Sequence, residues 1–152
     1  MKSAEEWMQV ALDLAGQAEA LDEVPIGAVV VLHDEMIGQG FNQTISSADP
    51  TAHAEIVALR DAARKINNYR LTDADMYVTI EPCSMCAGAL IHARIRHLYY
   101  GATEPRAGAI CSSIAVLDNP NVNHRVKHQG GIAEQAAAKI MSNFFQRKRQ
   151  SA

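Results

Sequence analysis

His53 and Glu55, two residues apart, and Cys83 and Cys86, three apart, are the side chains of this chain best suited to do chemistry. One imidazole and two thiolates make three ligands for zinc. Structural zinc sites are normally closed by four Cys or His side chains, whereas hydrolytic ones use three and leave the fourth position to water. Glu55 then stands beside the metal as a carboxylate with no ligand duty, where a general base belongs. Zinc lowers the pKa of its water towards ~7, so the carboxylate need only shuttle the proton. Cys111 is the one candidate for closing the site as Cys₃His, although a free Cys is the commoner state for such a residue.

The spacing also says how these side chains must be held. Cys83 and Cys86 are i and i+3, so a helix beginning near Pro82 presents both sulfurs from its first turn. Two residues at about 100° each put His53 and Glu55 about 200° apart on a regular helix, so that pair can converge only at a helix end. Two helix N-termini that meet would favour thiolate over thiol through their exposed amides and dipoles.

The flanking pattern supplies such helices. Ser3 to Glu6 reads as a capping box, followed by Trp7, Val10, Ala11, Leu14, Ala18 and Leu21 at helical spacing. Ile26 to Leu32 and Met36 to Phe41 read as a β-hairpin around His33, Asp34 and Glu35, with Gly27, Gly38 and Gly40 marking close backbone approach. Thr51 is placed to cap a helix whose apolar positions are Ile56, Leu59, Ala63 and Ile66. Met76 to Ile80, Ile95 to Tyr100 and Val126 to His128 read as strands, Pro82 to Ala93 as a helix, and about 132 to 149 as the last helix. The expected architecture is an α/β layered domain, with a mixed sheet covered by helices.

With 152 residues and 48% hydrophobic content, the chain fits one domain, 1–152. No run approaches the ~20 apolar residues of a membrane span, and the start lacks a basic segment followed by an apolar one. The expected setting is therefore the cytoplasm, with no membrane partner. Three Cys, two of them in a C-x-x-C pair, suit a metal site in a reducing compartment better than a disulfide framework. The net charge of −3 hides an uneven distribution. Acidic residues crowd the first third, while Arg125, Lys127, Lys139, Arg147, Lys148 and Arg149 load the end, where a basic helix could meet phosphates.

In combination these residues match the H-x-E and P-C-x-x-C signature of zinc-dependent nucleobase deaminases, the cytidine/deoxycytidylate deaminase superfamily. The likeness runs through Asp22 to Ala28, Thr51 to Ile56, Thr79 to Ala89, Asn123 to Arg125 and Phe144-Phe145, and over nearly its whole length the chain resembles the bacterial tRNA-specific adenosine deaminases. That resemblance implies a three-layer α/β/α cytidine-deaminase-like fold with a mixed five-stranded sheet. It implies a homodimeric hydrolase acting on a cyclic amidine C–N bond, with one zinc per subunit, that converts the wobble adenosine of a tRNA anticodon to inosine. His53, Cys83 and Cys86 would be the ligands, zinc-bound hydroxide would attack C6, and Glu55 would carry the proton to the ring nitrogen and then to the leaving amine. Asn42 and the backbone around Ala54 would hold the target nucleotide, and Phe145 and Arg149 would meet the anticodon loop by stacking and phosphate contact. Glu104 stands where that family usually has Asp, Arg106 where it often has Lys, and Cys111 where it usually has Gly. These departures bear on how the loop holds the nucleotides beside the target.

Two other functions share part of the pattern. A deaminase of free guanine, cytosine or cytidine would use the same zinc motif but have no use for an exposed Phe145 and Arg149. An RNA-binding module with a structural zinc would give Glu55 no task.

Overall fold

The structure, a computed structural model, describes residues 1–151, so Ala152 of the expected domain lies outside it. Ser3 opens the first helix as its sequence dictates. Its hydroxyl accepts from the Glu6 amide, and the Glu6 carboxylate accepts from the Ser3 amide at 3.0 Å, completing the capping box. The helix α1 (Ala4–Ala20) buries Trp7, Met8, Ala11, Leu14, Ala15 and Ala18. Leu21, expected on that face, is instead an exposed C-cap, because the chain reverses at Asp22 with φ of 60°.

Strands β1 (Gly27–Leu32) and β2 (Glu35–Phe41) form the expected hairpin. Its two turn residues, His33 and Asp34, both adopt positive φ, the geometry that matches strand twist. A Cβ at Gly38 would lie 2.5 Å from the Ala58 carbonyl oxygen, and one at Gly40 2.7 Å from the Ala58 nitrogen. The helix α2 (Ala54–Ile66) therefore rests its backbone almost directly on β2. Its sheet-facing stripe is accordingly alanine, with Ala54, Ala58 and Ala62 fully buried. This corrects the expected apolar face: Leu59 is buried, but Ile56, Ala63 and Ile66 lie half-buried on the helix flank. The cap is corrected too, since His53, not Thr51, is the N-cap of α2.

The chain continues through β3 (Asp75–Ile80), α3 (Ser84–His92), β4 (His97–Ala102), a single 3₁₀ turn (Val116–Asp118), β5 (Lys127–Gln129) and α4 (Glu134–Ser151). The five strands lie in the order β2-β1-β3-β4-β5, with β1 antiparallel to both neighbours and β3, β4 and β5 parallel. One face of the sheet packs Ala28, Val30, Met76, Val78 and Leu98 against α2 and α3. The other packs Val29, Val31 and Tyr77 against α1, and Ile80 and Ala102 against Ala137 of α4. This is the expected three-layer α/β/α fold with a mixed five-stranded sheet. The last helix starts at Glu134 rather than 132 because the Gly131 and Ile132 amides still bond to the Gly101 and Tyr100 carbonyls of β4, and Ala133 at φ of 55° then reverses the chain.

Candidate active site and metal centre

The site forms where α2 and α3 both begin, at the C-terminal end of β3, the edge at which open α/β sheets bind their ligands. His53 caps α2 with an extended backbone, φ −72° and ψ 154°, which takes it off the helix and frees it from the 200° separation that a regular turn would impose on Glu55. Cys83 caps α3 in the same way, and Cys86 sits in that helix's first turn. The His53 Nδ1 atom lies 3.6 Å from the sulfur of Cys83 and 3.6 Å from that of Cys86. The three ligand atoms are all within 4.8 Å of one another.

This donor set fits zinc. Bonds of about 2.3 Å to sulfur and 2.05 Å to nitrogen at a tetrahedral angle would set sulfur and nitrogen about 3.6 Å apart. Cys111, the candidate fourth ligand, is not in the cluster. It is exposed, and its sulfur lies 3.2 Å from the Tyr100 hydroxyl.

The two sulfurs are electrostatically unequal. The neighbouring Cys86 side chain, the backbone amides of Cys86 and Met85 and the His53 ring bring the Cys83 thiol down to about 5 against the opposing effect of burial. Beside Cys83 and buried, the Cys86 thiol is pushed up. Glu55 is 4% exposed. Burial, reinforced by Cys83, pushes its carboxyl up to about 7, although its own backbone amide, His53 and Cys86 favour the charged form. A carboxyl raised towards neutrality beside these three donors is suited to accept and release a proton.

Asn42 is buried at the end of β2, and its Oδ1 accepts the Ala54 amide at 2.8 Å. It thereby satisfies one orphan donor of α2 from outside the helix, which explains how His53 can be the N-cap without making a cap hydrogen bond. With Oδ1 committed, the Asn42 NH₂ is the end that remains for a ligand.

Phe145 and Arg149 lie apart from this cluster on α4. Phe144 is buried at 3% exposure and Phe145 exposed at 41%, the two rings meeting edge to face at 5.3 Å. The three terminal cations are separated by their partners. Arg147 pairs with Glu19 at 2.7 Å and Lys148 with Asp22, so both are tied to the end of α1, whereas Arg149 has no ion-pair partner among the described residues. Arg125 and Lys127 join Arg70, Arg94 and Arg96 around a cavity of about 300 Å³ at the opposite end of the strands from the cluster.

Two buried carboxylates escaped sequence reasoning. Glu23, 1% exposed, accepts from the Ile45 and Ser46 amides at 3.2 and 2.6 Å and holds the loop after β2. Glu81, 4% exposed, accepts from the amides of Glu104, Ile110, Cys111 and Ser112 at 3.0, 3.1, 2.9 and 3.0 Å and from the Ser112 hydroxyl. Burial opposes its ionisation, yet these five donors outweigh it and hold the carboxyl at about 2. The available signal was a carboxylate placed between an apolar strand and Pro82-Cys83, where an unpaired charge would be too costly to tolerate.

The MafB19-like deaminase family model matches residues 2–149. The chain is 46% identical over 147 residues to a tRNA-specific adenosine deaminase of Haemophilus influenzae, spanning 96% of this chain and 85% of that one. It is also 46% identical to that of Agrobacterium fabrum, covering 94% of each. Among solved structures, a chain from a study of A-to-I editing by tRNA:A34 deaminases superposes with a TM-score of 0.86 at 46% identity, over 88% of this chain and 97% of that one. A guanine deaminase from Nitrosomonas europaea, 24% identical with a TM-score of 0.79 over 95% of this chain and 85% of that one, shares the fold. The signature residues gathered at one point of a five-stranded α/β/α fold, and kinship over nearly the full length, place this chain in the family of tRNA-specific adenosine deaminases.

Proposed function

We propose that the protein hydrolyses the wobble adenosine of a tRNA anticodon to inosine and ammonia. The observation that supports the deaminase chemistry is Glu55, a buried carboxyl beside three zinc-type donors and not one of them, and the tRNA substrate is supported by the 46% identity to a tRNA-specific adenosine deaminase over 147 residues. His53, Cys83 and Cys86 would hold one zinc per subunit. Bound there, zinc supplies the Lewis acidity that makes water a competent nucleophile at neutral pH. Glu55 takes one proton from the attacking water to the ring nitrogen next to C6, then takes the second, from the oxygen now bonded to C6, to the departing amine, so that ammonia leaves and the C6 keto group remains. The NH₂ of Asn42 and the backbone around Ala54 hold the target nucleotide. Phe145 offers an exposed ring for stacking on an unpaired base, and Arg149, without an ion-pair partner among the described residues, a cation for phosphate.

The whole chain, 1–152, works as one deaminase domain, with α4 contributing to RNA binding. A second copy completes a homodimer. Buried Leu59 and half-buried Ile56, Ala63 and Ala89, which line an apolar cavity of about 310 Å³ between α2 and α3, support that assembly. No described helix is long and apolar enough to cross a membrane, and a tRNA substrate places the work in the cytoplasm.

The test is incubation of purified protein with unmodified tRNA bearing a wobble adenosine and, separately, with guanine and cytidine. Inosine from the tRNA alone supports the reading. Ammonia from the free base or nucleoside alone would transfer it to the alternative deaminase.

A further inference from the structure

Residues 104–112 have little secondary structure of their own, yet they are among the most firmly tied loops of the chain. The Ile110, Cys111 and Ser112 amides, three in succession, converge on Glu81 Oε2, forming a backbone nest around an anion. The Glu104 amide and the Ser112 hydroxyl converge on Oε1. The Ala109 amide donates to the Pro82 carbonyl at 2.8 Å, so the loop borders the residue next to the Cys83 ligand. Within the loop, the Glu104 carboxylate accepts the Ala107 amide, and the Gly108 amide donates to the Glu104 carbonyl at 2.8 Å. Gly108 is required by this packing. A Cβ there would stand 2.5 Å from the Glu81 carboxylate and 2.4 Å from the Glu104 carbonyl oxygen.

We propose that Glu81 is a positioning residue for RNA recognition: one buried carboxylate fixes the loop carrying Glu104 and Arg106 in register with the start of α3, and so fixes the nucleotides on either side of the target adenosine relative to the metal ligands. This rests on the functional reading above: the Ala109 bond to Pro82 sets the loop beside the Cys83 ligand, where the target adenosine and its neighbours would lie. The geometry allows no neutral substitute. All five partners are donors, so an amide in place of the carboxylate must turn its NH₂ towards at least one of them.

The experiment uses the zinc-loaded full chain, wild type, Glu81→Gln, Gly108→Ala and Ser112→Ala, on anticodon stem-loop RNAs that differ in the nucleotides flanking the wobble adenosine. In Glu81→Gln, hydrogen exchange accelerates at the amides of 104 and 110–112, discrimination between flanking nucleotides flattens, and zinc stays at one per chain. KM rises about tenfold, the equivalent of one lost hydrogen bond to a charged group, while kcat stays within about threefold. Gly108→Ala gives the same pattern by displacing the carboxylate. Ser112→Ala, which removes a single donor and leaves the fold intact, gives it in weaker form, so the proposal remains testable even if Glu81→Gln does not fold. KM and discrimination like wild type in the folded variants would overturn the proposal. A kcat loss that follows zinc content or folded fraction at constant KM would do so as well, since it marks a purely structural role. If the wild-type chain left every stem-loop unchanged, the functional reading itself would fall, a result distinct from variants that match an active wild type.

Discussion

Glu55 and Glu81 are equally shielded from solvent, at 4% exposure each, and each lies two residues from a metal-type ligand, yet their carboxyls move in opposite directions, one up to about 7 and the other down to about 2. Glu55 is the more deeply set, and the two also differ in what surrounds them. Glu81 has five hydrogen-bond donors turned towards it, whereas Glu55 faces mainly sulfur atoms and relies on its own backbone amide. Burial alone penalises a charge, and only enough donors reverse the penalty. A carboxylate saturated with donors is fixed in one protonation state and serves as an anchor. One left short of donors can exchange a proton, and this is what general acid–base work requires.

The largest effect should come from removing the proposed proton carrier. Glu55→Ala should keep its zinc, read by metal analysis, and lose at least the ~10²–10⁴-fold that general acid–base catalysis contributes. Substantial inosine formation by that variant would remove the contrast, since Glu55 would then be no more catalytic than Glu81.

Stability should separate the two carboxylates in the opposite sense. Glu81→Gln should destabilise the zinc-loaded chain by about 1–3 kcal/mol in urea, the cost of leaving buried partners unsatisfied. Glu55→Gln should be neutral or slightly stabilising, because it removes a buried ionisable group that the fold supports poorly. Equal losses in the two variants would mean that burial, and not the donor set, governs both.

Glu23 tests whether the anchor rule extends beyond the site. Burial raises its pKa, but the Ser46 amide and hydroxyl, the Ile45 amide and the Thr44 hydroxyl outweigh this and leave it below 4.5. A carboxyl lowered on folding adds stability that is fully present above the unfolded value near 4.5 and is lost as pH falls through the lower folded value. Glu23→Gln should therefore cost about 1 kcal/mol at neutral pH, with the gap from wild type closing in acid below pH 4.5. A gap independent of pH would contradict the anchoring.

The smallest effects belong to the exposed end of α4. Arg149→Ala should weaken RNA binding severalfold and reduce the slope of log affinity against log salt by about 1, with zinc content unchanged. Arg147→Ala, which breaks a half-exposed pair with Glu19, should shift stability by less than about 1 kcal/mol. An unchanged salt slope in Arg149→Ala would group Arg149 with the structural cations.

Much of this was legible in the sequence because it depends on spacing. The i, i+3 cysteines, the H-x-E pair that can converge only at a helix end, the Ser3 capping box and the hairpin glycines all specify geometry over a few residues, and the structure agrees with each. The misplaced cap at Thr51 and the misjudged face of α2 have one cause. Gly38 and Gly40, more than ten residues before α2, let its alanines sit against the sheet, and Asn42 just after β2 satisfies the Ala54 amide that a local cap would otherwise serve.

The sequence by itself determined the donor set and the class of chemistry, because ligand identity and helix-end spacing are local properties. Tertiary structure alone decided which carboxyl is raised and which is lowered. Glu55 and Glu81 are the same residue type with equal exposure, and what distinguishes them is the deeper setting of Glu55 and a nest of amides near 30 residues further along the chain, brought to Glu81 by the fold and denied to Glu55.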